Sequence, residues 1–345
     1  MKTNPLNPKK IHFDRAIFMS WYCSIGDCAY CYMSTQKKLI SEPSKAMRTK
    51  ASILAEAYLC KKLGWKIGFL SAGYGSYTAE SILDICKSIY KITNEKIWLN
   101  IGVLNESAIK KLSPYLEGIC GAVETTNKKI HKKVSPSKPI APIEKMYGIC
   151  DKYNLKKSMT FIVGLGETIN DFNSLKIFIA KNKIDKIIFY ALNPIKGTIF
   201  EKSKGPEIDY FVEWIRKTRK AFPKIGIVAG HWVNRVDYIH LMLNAGANAI
   251  TKFPAISLFN TKFARTIEKE IKKSGYELQG TFTKMPSINF DVMKIKDFQD
   301  TGNLRFPCEI RSLSFGKKMK EEIIAKVNRY LNAMRKNHRD KNVIG

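Results

Sequence analysis

The stretch Trp21-Tyr22-Cys23-Ser24-Ile25-Gly26-Asp27-Cys28-Ala29-Tyr30-Cys31-Tyr32-Met33 places three thiols within nine residues, spaced Cys-x4-Cys-x2-Cys. A loop of that length can wrap its sulfurs around one metal centre. Three ligands are one short of the four that close a structural zinc or ferredoxin-type site. No histidine or fourth cysteine stands close by in sequence. Two readings follow: an iron–sulfur cube that keeps one iron free to bind something else, or a zinc site completed by a distant ligand.

Upstream, the apolar run at 15–22 predicts a buried strand that delivers the cysteine loop at its C-terminal end. Downstream, helical spacing over 49–63 is stopped by Gly64. The chain then alternates. Strands are predicted at 66–71, 96–103, 118–124, 157–163, 184–192, 224–229 and 247–251. Helices follow them at 79–90, 106–112, 140–153, 169–182, 208–222, 236–245 and 262–274. Eight strand–helix units predict an α/β fold, a closed (β/α)8 TIM-type barrel, because such alternation imposes parallel neighbours with right-handed crossovers. The alternative is an open, partial (β/α)6 barrel with appended pieces. The expected division is a polar N-terminal arm at 1–14, one barrel domain at 15–275 and a C-terminal extension at 276–345. That extension reads as irregular up to 315. A basic amphipathic helix at 317–337 follows, whose Ile323, Ile324, Val327, Leu331 and Met334 predict packing on the barrel.

The chain has 345 residues, 45% hydrophobic, with 59 Lys and Arg against 30 Asp and Glu, a net charge of +29. Such a charge raises a nucleic-acid reading. The lysines are spread over the whole length, however, with no basic tail, zinc finger or RNA-recognition signature. A compositional bias of the kind that suits high temperature explains them better. An anionic substrate or an acidic partner protein remains compatible. No apolar run reaches transmembrane length, and Met1-Lys2-Thr3-Asn4-Pro5 lacks the apolar core of a signal peptide. Eight cysteines without regular pairing fit a reducing compartment. A cytoplasmic location is expected.

In a parallel barrel the active site lies at the C-terminal ends of the strands, and the unusual residues fall there. Ser71-Ala72-Gly73-Tyr74-Gly75 follows the second strand; its small residues admit a ligand close to the backbone, or make a tight turn. Glu124 in Val123-Glu124-Thr125-Thr126-Asn127 is either a functional carboxylate or a surface one. Gly164 and Gly166 in Gly164-Leu165-Gly166-Glu167 permit close approach of a flat ring, and Glu167 is placed to cap the next helix. Asn193, His231 and Arg235, after the sixth and seventh strands, are candidates for a substrate pocket. The competing roles are a buried structural histidine and a capping arginine.

The cysteine pattern resembles that of the radical S-adenosylmethionine (SAM) superfamily. The usual spacing there is Cys-x3-Cys-x2-Cys with an aromatic before the last cysteine; Tyr30 fills the aromatic slot, and the first gap is one residue longer. The strand ends resemble the biotin synthase-like branch. Glu124-Thr125-Thr126-Asn127 is similar to a Glu-Thr-x-Asn run of the hydrogenase maturase, and Gly164-Leu165-Gly166-Glu167 and Gly246-Ala247-Asn248 match signatures shared by that branch. The resemblance spans roughly 12–275. It implies that Cys23, Cys28 and Cys31 hold a [4Fe-4S] cluster whose open iron chelates SAM. Reductive cleavage of SAM would then give a 5′-deoxyadenosyl radical that abstracts hydrogen from a small-molecule substrate. Ser71, Ala72 and Gly73 would hold the methionine end. Glu124 would accept hydrogen bonds from the ammonium or ribose, and Gly164 and Gly166 would face the adenine. Tyr30 and Glu167 complete the cofactor-binding set. Electrons would come from a ferredoxin or flavodoxin, acidic carriers attracted by a basic surface.

The remaining cysteines are Cys60, Cys86, Cys120, Cys150 and Cys308. Only Cys120 falls in a predicted barrel strand, so the second cluster of biotin synthase is not reproduced. The unusual first gap and the Glu-Thr-Thr-Asn run look like the archaeal radical SAM proteins that help build the iron-guanylylpyridinol cofactor of a hydrogenase. A sulfur-inserting enzyme of the lipoyl or biotin synthase kind is the alternative. A basic iron–sulfur or RNA-binding protein is the non-enzyme alternative.

Overall fold

Strand β1 (Lys9–Phe18) buries Ile11, Phe13 and Ile17 completely and joins both ends of the sheet. One neighbour is β2 (Lys66–Ser71), paired at Asp14↔Lys66 through Phe18↔Ser71. Another is β8 (Ala249–Thr251), paired at His12↔Ala249 through Asp14↔Thr251. Between them run β3 (Ile97–Asn100), β4 (Leu116–Glu124), β5 (Lys156–Val163), β6 (Lys186–Ala191) and β7 (Gly226–Gly230), each parallel to the next. The ring therefore closes as an eight-stranded parallel barrel, which sets aside the partial barrel. The computed structural model describes residues 9–288 and 315–339. Cys308 lies outside the described residues.

In chain order the helices are α1 (Tyr32–Gln36), α2 (Lys50–Leu63), α3 (Ala79–Thr93), α4 (Glu106–Leu112), α5 (Lys128–Val134) and α6 (Ala141–Lys152). Then come α7 (Phe172–Asn182), α8 (Ile208–Ala221), α9 (Ile239–Asn244), α10 (Lys262–Lys273) and α11 (Lys317–Arg339). The longer ones cover the outside of the barrel, whereas α1 lies at its mouth. Seven of the eight residues of β5 are buried, as expected of a strand covered on both faces. Inside the barrel Phe69, Cys120, Ile188, Val228 and Ala249 form a separate packed layer. Towards the N-terminal ends of the strands, Lys186 sits 3.7 Å from Asp14 and 3.9 Å from the centre of the Trp98 ring.

Several sequence expectations shift. The first strand begins at Lys9 rather than 15, so residues 9–14 belong to the barrel and not to an arm. Its N-terminal half also pairs with β9 (Tyr276–Gln279), which falls in the stretch expected to be irregular. Gly64 takes a left-handed φ of 70° to end α2, and a Cβ on it would lie 2.7 Å from the Cα of Gly280. Glycine there serves both the helix stop and the close approach of the chain leaving β9. Short helices at Tyr32–Gln36 and Lys128–Val134 were not expected from the sequence. Helix α11 packs on α2 through fully buried Ile323, Val327 and Met334, in line with packing on the barrel. No helix among the described residues is long and apolar enough to cross a membrane.

Candidate active site

The cysteine loop is seated on the barrel mouth by four backbone bonds to three separate segments. The amide of Met19 donates to Ser71 O at 2.8 Å, and that of Trp21 to Ala46 O at 3.1 Å. The Ser24 amide donates to Tyr74 O at 2.9 Å, and the Ala29 amide to Val134 O at 2.8 Å. Ser76 Oγ donates to Tyr22 O at 2.9 Å. Gly73 makes this seating possible. A Cβ there would stand 2.1 Å from Tyr22 O and 2.6 Å from Cys23 Cβ, so the space a side chain would need is filled by the loop itself.

Cys28 is buried, and Cys23 and Cys31 are half-buried. The Cys31 amide donates to Cys28 O at 3.1 Å, and Cys31 is the N-cap of α1. Burial pushes the Cys31 thiol up to about 11; the neighbouring Cys28 and Cys23 add to this, while a Met33 backbone bond and Lys138 oppose it. Burial also raises Cys28, against Lys138 and the hydroxyls of Tyr30 and Ser135. Among the described residues no three His, Cys, Asp or Glu side chains close on a single ion. Zinc needs every thiolate within about 2.3 Å of one point. A cube takes each thiolate on a separate iron, and Cys31, which senses the charge of both Cys28 and Cys23 on the same loop, fits such a set of three ligands.

Beside the loop lies a buried polar chain. Lys138 Nζ donates to Tyr30 Oη at 2.9 Å and stands 3.6 Å from Glu124 Oε1. Tyr30 Oη also meets Ser135 Oγ at 3.2 Å. Glu124 ends β4 with a φ of 66°, a conformation that non-glycine residues rarely take. Burial, helped by Glu124 and Cys28, holds the Tyr30 phenol well above its ordinary value, so it stays protonated.

A cavity of about 980 Å³ opens here at the C-terminal ends of the strands. That is the upper end of the range for small-molecule sites, roughly 300–1,000 Å³. Of the residues singled out in the sequence, Tyr30, Cys31, Ser71, Glu124 and Asn193 line it. Ala72 is buried, its amide bonded to Asn100 O at 3.1 Å. Gly164 and Gly166 both have left-handed φ values; a Cβ on Gly164 would crowd Pro206 and Leu192, at 3.0 and 3.1 Å, whereas Gly166 faces open space.

Glu167 does not cap the following helix as expected. Its carboxylate accepts from the amides of Gly164 at 2.6 Å and Leu165 at 2.8 Å, closing its own loop, and Thr168 with Asp171 forms the capping box instead. His231 is fully buried behind the cavity wall, with its ring centre 6.4 Å from that of Phe253. Among the described residues no well-formed hydrogen bond reaches either ring nitrogen, and burial pulls its pKa down to about 4 against a weaker pull from the Trp232 backbone. Arg235 donates to Pro206 O and ties the loop after β7 to the loop after β6.

Sequence reasoning missed Lys138, and also five charged residues of the cavity wall: Arg15, Lys45, Arg48, Glu56 and Lys252. Glu56 takes Arg15 Nε and Arg48 Nη1, each at 2.7 Å. Burial pushes its carboxyl up, but the two guanidinium groups overcome this and hold it below the usual value. Lys252 was legible by position, as the residue directly after the last strand. Among 59 Lys and Arg nothing else marked it.

No family model matches the chain. An uncharacterized protein of Methanocaldococcus jannaschii is 41% identical over 274 residues, 79% of this chain and 76% of that one. A biotin synthase of Methanococcus aeolicus is 27% identical over 183 residues, 52% of this chain and 55% of the synthase. The 7,8-didemethyl-8-hydroxy-5-deazariboflavin synthase of Archaeoglobus fulgidus is 28% identical over 195 residues, 54% of this chain and 58% of that one. Among solved structures, methylornithine synthase (PylB) superposes with a TM-score of 0.66 at 16% identity, over 78% of this chain and 83% of that one. The FeFe-hydrogenase maturase HydG from Carboxydothermus hydrogenoformans gives 0.59 at 13% identity, over 95% and 81%. With a closed parallel barrel, a three-cysteine loop at its mouth and these relatives, the chain is an enzyme that belongs to the radical SAM superfamily, in its biotin synthase-like branch.

Proposed function

We propose that the chain binds a [4Fe-4S] cluster through Cys23, Cys28 and Cys31 and uses SAM to abstract hydrogen from a small molecule during the biosynthesis of a cofactor. The observation that carries this is the meeting of the cysteine loop with the cavity: Cys31 is at once a candidate ligand and part of the cavity wall. When bound, the cluster and SAM supply one-electron cleavage of the sulfonium and a carbon radical able to take hydrogen from a nearby C–H bond.

The chain's own residues prepare that chemistry. Cys28 and Cys31 give up their thiol protons on loading, and the Lys138 ammonium favours the Cys28 thiolate. Glu124 offers a carboxylate to the ammonium or ribose of SAM, and Ser71 sits at the β2 end for its methionine part. Phe18, Tyr190 and Trp232 line the same cavity and exclude water from it. Asn193 faces the substrate. A ferredoxin or flavodoxin would deliver electrons, and the net charge of +29 suits an acidic donor.

The relatives with named products make biotin and a deazaflavin, and one structural neighbour is a hydrogenase maturase. Together with the Glu124-Thr125-Thr126-Asn127 run, this supports the iron-guanylylpyridinol cofactor as the product pathway. A sulfur-inserting enzyme would need a second cluster. Cys60, Cys86 and Cys150 are buried on α2, α3 and α6, outside the barrel, and burial pushes the Cys120 thiol inside it up to about 12.

Anaerobically reconstituted protein with dithionite should convert SAM to 5′-deoxyadenosine, and Cys28→Ala should not. No cleavage by a protein carrying a normal cluster sinks the proposal. Iron near about four atoms per chain is expected; about eight would restore sulfur insertion. For the pathway, hydrogenase co-expressed with the chain should gain activity that Cys28→Ala does not restore.

A further inference from the structure

We propose that Lys252 anchors a carboxylate of the substrate on the β8 side of the cavity, and that the substrate carries this group on an apolar or aromatic body. The inference rests on the enzyme reading above and adds the substrate class to it.

Lys252 follows β8 directly, with a φ of 74°. A non-glycine residue held in that conformation is fixed by its surroundings, and here the result is a lysine aimed into the cavity. Its Nζ lies 5.0 Å from the ring centres of both Phe18 and Tyr190, and 5.4 Å from that of Trp232. Ring faces attract a cation but accept no conventional hydrogen bond, so the three N–H donors of the ammonium still lack acceptors. Among the described residues Lys252 forms no hydrogen bond or ion pair, unlike Lys138, which has Tyr30 and Glu124.

The charges on this wall point the same way. Arg15, Lys45, Arg48 and Lys252 line it; Glu56 meets the two arginines and Glu42 meets Lys45 at 3.0 Å, which leaves Lys252 without an ion pair among the described residues. The opposite wall is balanced, since Glu124 faces Lys138. A half-buried cation with no carboxylate at contact distance is unfavourably placed, and a ligand anion would satisfy it. Arg15 gives Nε to Glu56 and Nη1 to Phe253 O, and Arg48 is held by Glu56, Phe18 O, Ser52 and Tyr330, so the cation left with free donors is the Lys252 ammonium, a point charge suited to a monoanion more than to a phosphate. Burial holds the Lys252 ammonium below the ordinary lysine value, with Cys31 and Glu124 opposing this and Arg15 adding to it.

The test uses three matched pairs, acetate and acetamide, benzoate and benzamide, succinate and succinamide, with reconstituted holoenzyme, read by ligand-observed saturation-transfer NMR without reductant. The acids should bind at least roughly tenfold tighter than their amides, as expected for a charge-assisted bond. Lys252→Met should lose the preference and Lys252→Arg should keep part of it. No acid preference in the wild-type protein, or an equal preference in a folded Lys252→Met, overturns the proposal. Displacement of the acids by SAM would also overturn it, by giving the anchor to the carboxylate of SAM itself. Because these binding data need no turnover, they fail separately from the SAM-cleavage assay.

Discussion

The Lys138 ammonium stands 3.6 Å from the Glu124 carboxylate, and both side chains are buried. The pair joins the loop after α5 to the end of β4, and through Tyr30 it reaches the cysteine loop. Charges withdrawn from water are stable only while each has its partner. Removing one should therefore be worse than removing both.

Lys138→Met should lower the unfolding free energy by about 3 kcal/mol. Adding Glu124→Gln should recover most of that loss. Urea unfolding of the two single variants and the double variant measures the coupling. Additive losses would show that the buried pair does not act as a unit.

Gly73→Ala should spare the barrel and damage the cysteine loop. The new methyl would meet Tyr22 O at 2.1 Å, and backbone cannot yield as a flexible side chain can. Far-UV circular dichroism should match the wild type while iron retained after reconstitution falls severalfold. Full iron retention would mean the loop has other ways to sit.

His231 makes stability fall in acid. In the folded chain its pKa is about 4, below the ordinary 6.5, so it stays neutral where the unfolded chain binds a proton. The folded state is therefore penalised progressively as pH drops from 6.5 towards 4, by up to roughly 3 kcal/mol in all. His231→Leu should flatten this part of a curve of unfolding free energy against pH. An unchanged curve would assign the acid limb to other groups.

Glu56 adds a separate acid-sensitive contribution. Its folded pKa is depressed below 4.5, so the stability it contributes is complete above 4.5 and is lost as pH falls through the folded value. Glu56→Gln should destabilise by about 3 kcal/mol at neutral pH, because it leaves Arg15 and Arg48 without their shared counter-ion. The difference from wild type should shrink in acid. Thermal melts at neutral and acid pH read both effects.

Much of the architecture was legible because the second strand and the fourth helix carry clean signals. The strand at Lys66–Ser71 follows a helix-stopping glycine, and the helix at Glu106–Leu112 follows an asparagine cap; both fall where the sequence places them. The N-terminal half of the first strand was not legible. Lys9-Lys10-Ile11-His12-Phe13-Asp14 alternates polar and apolar, and reads as a tail until its pairing with β8 and β9 is seen. At the site, Cys31, Ser71, Glu124 and Asn193 could be found by position at strand ends. Lys138 could not, and Lys252, though it directly follows β8, carried no other mark, because a lysine's role depends on what surrounds it in space. Glu167 misled for a local reason: two amides in its own loop are nearer than the helix it was expected to cap.

Tyr330 on α11 lies 2.9 Å from Arg48 Nη2, and Arg48 lines the cavity 282 residues earlier in the chain. The ribosome thus finishes the three cysteines long before it makes the residue that steadies the neighbouring wall. A chain cut short before α11 should therefore keep its cysteine loop and lose one of the partners that hold Arg48 in the cavity wall.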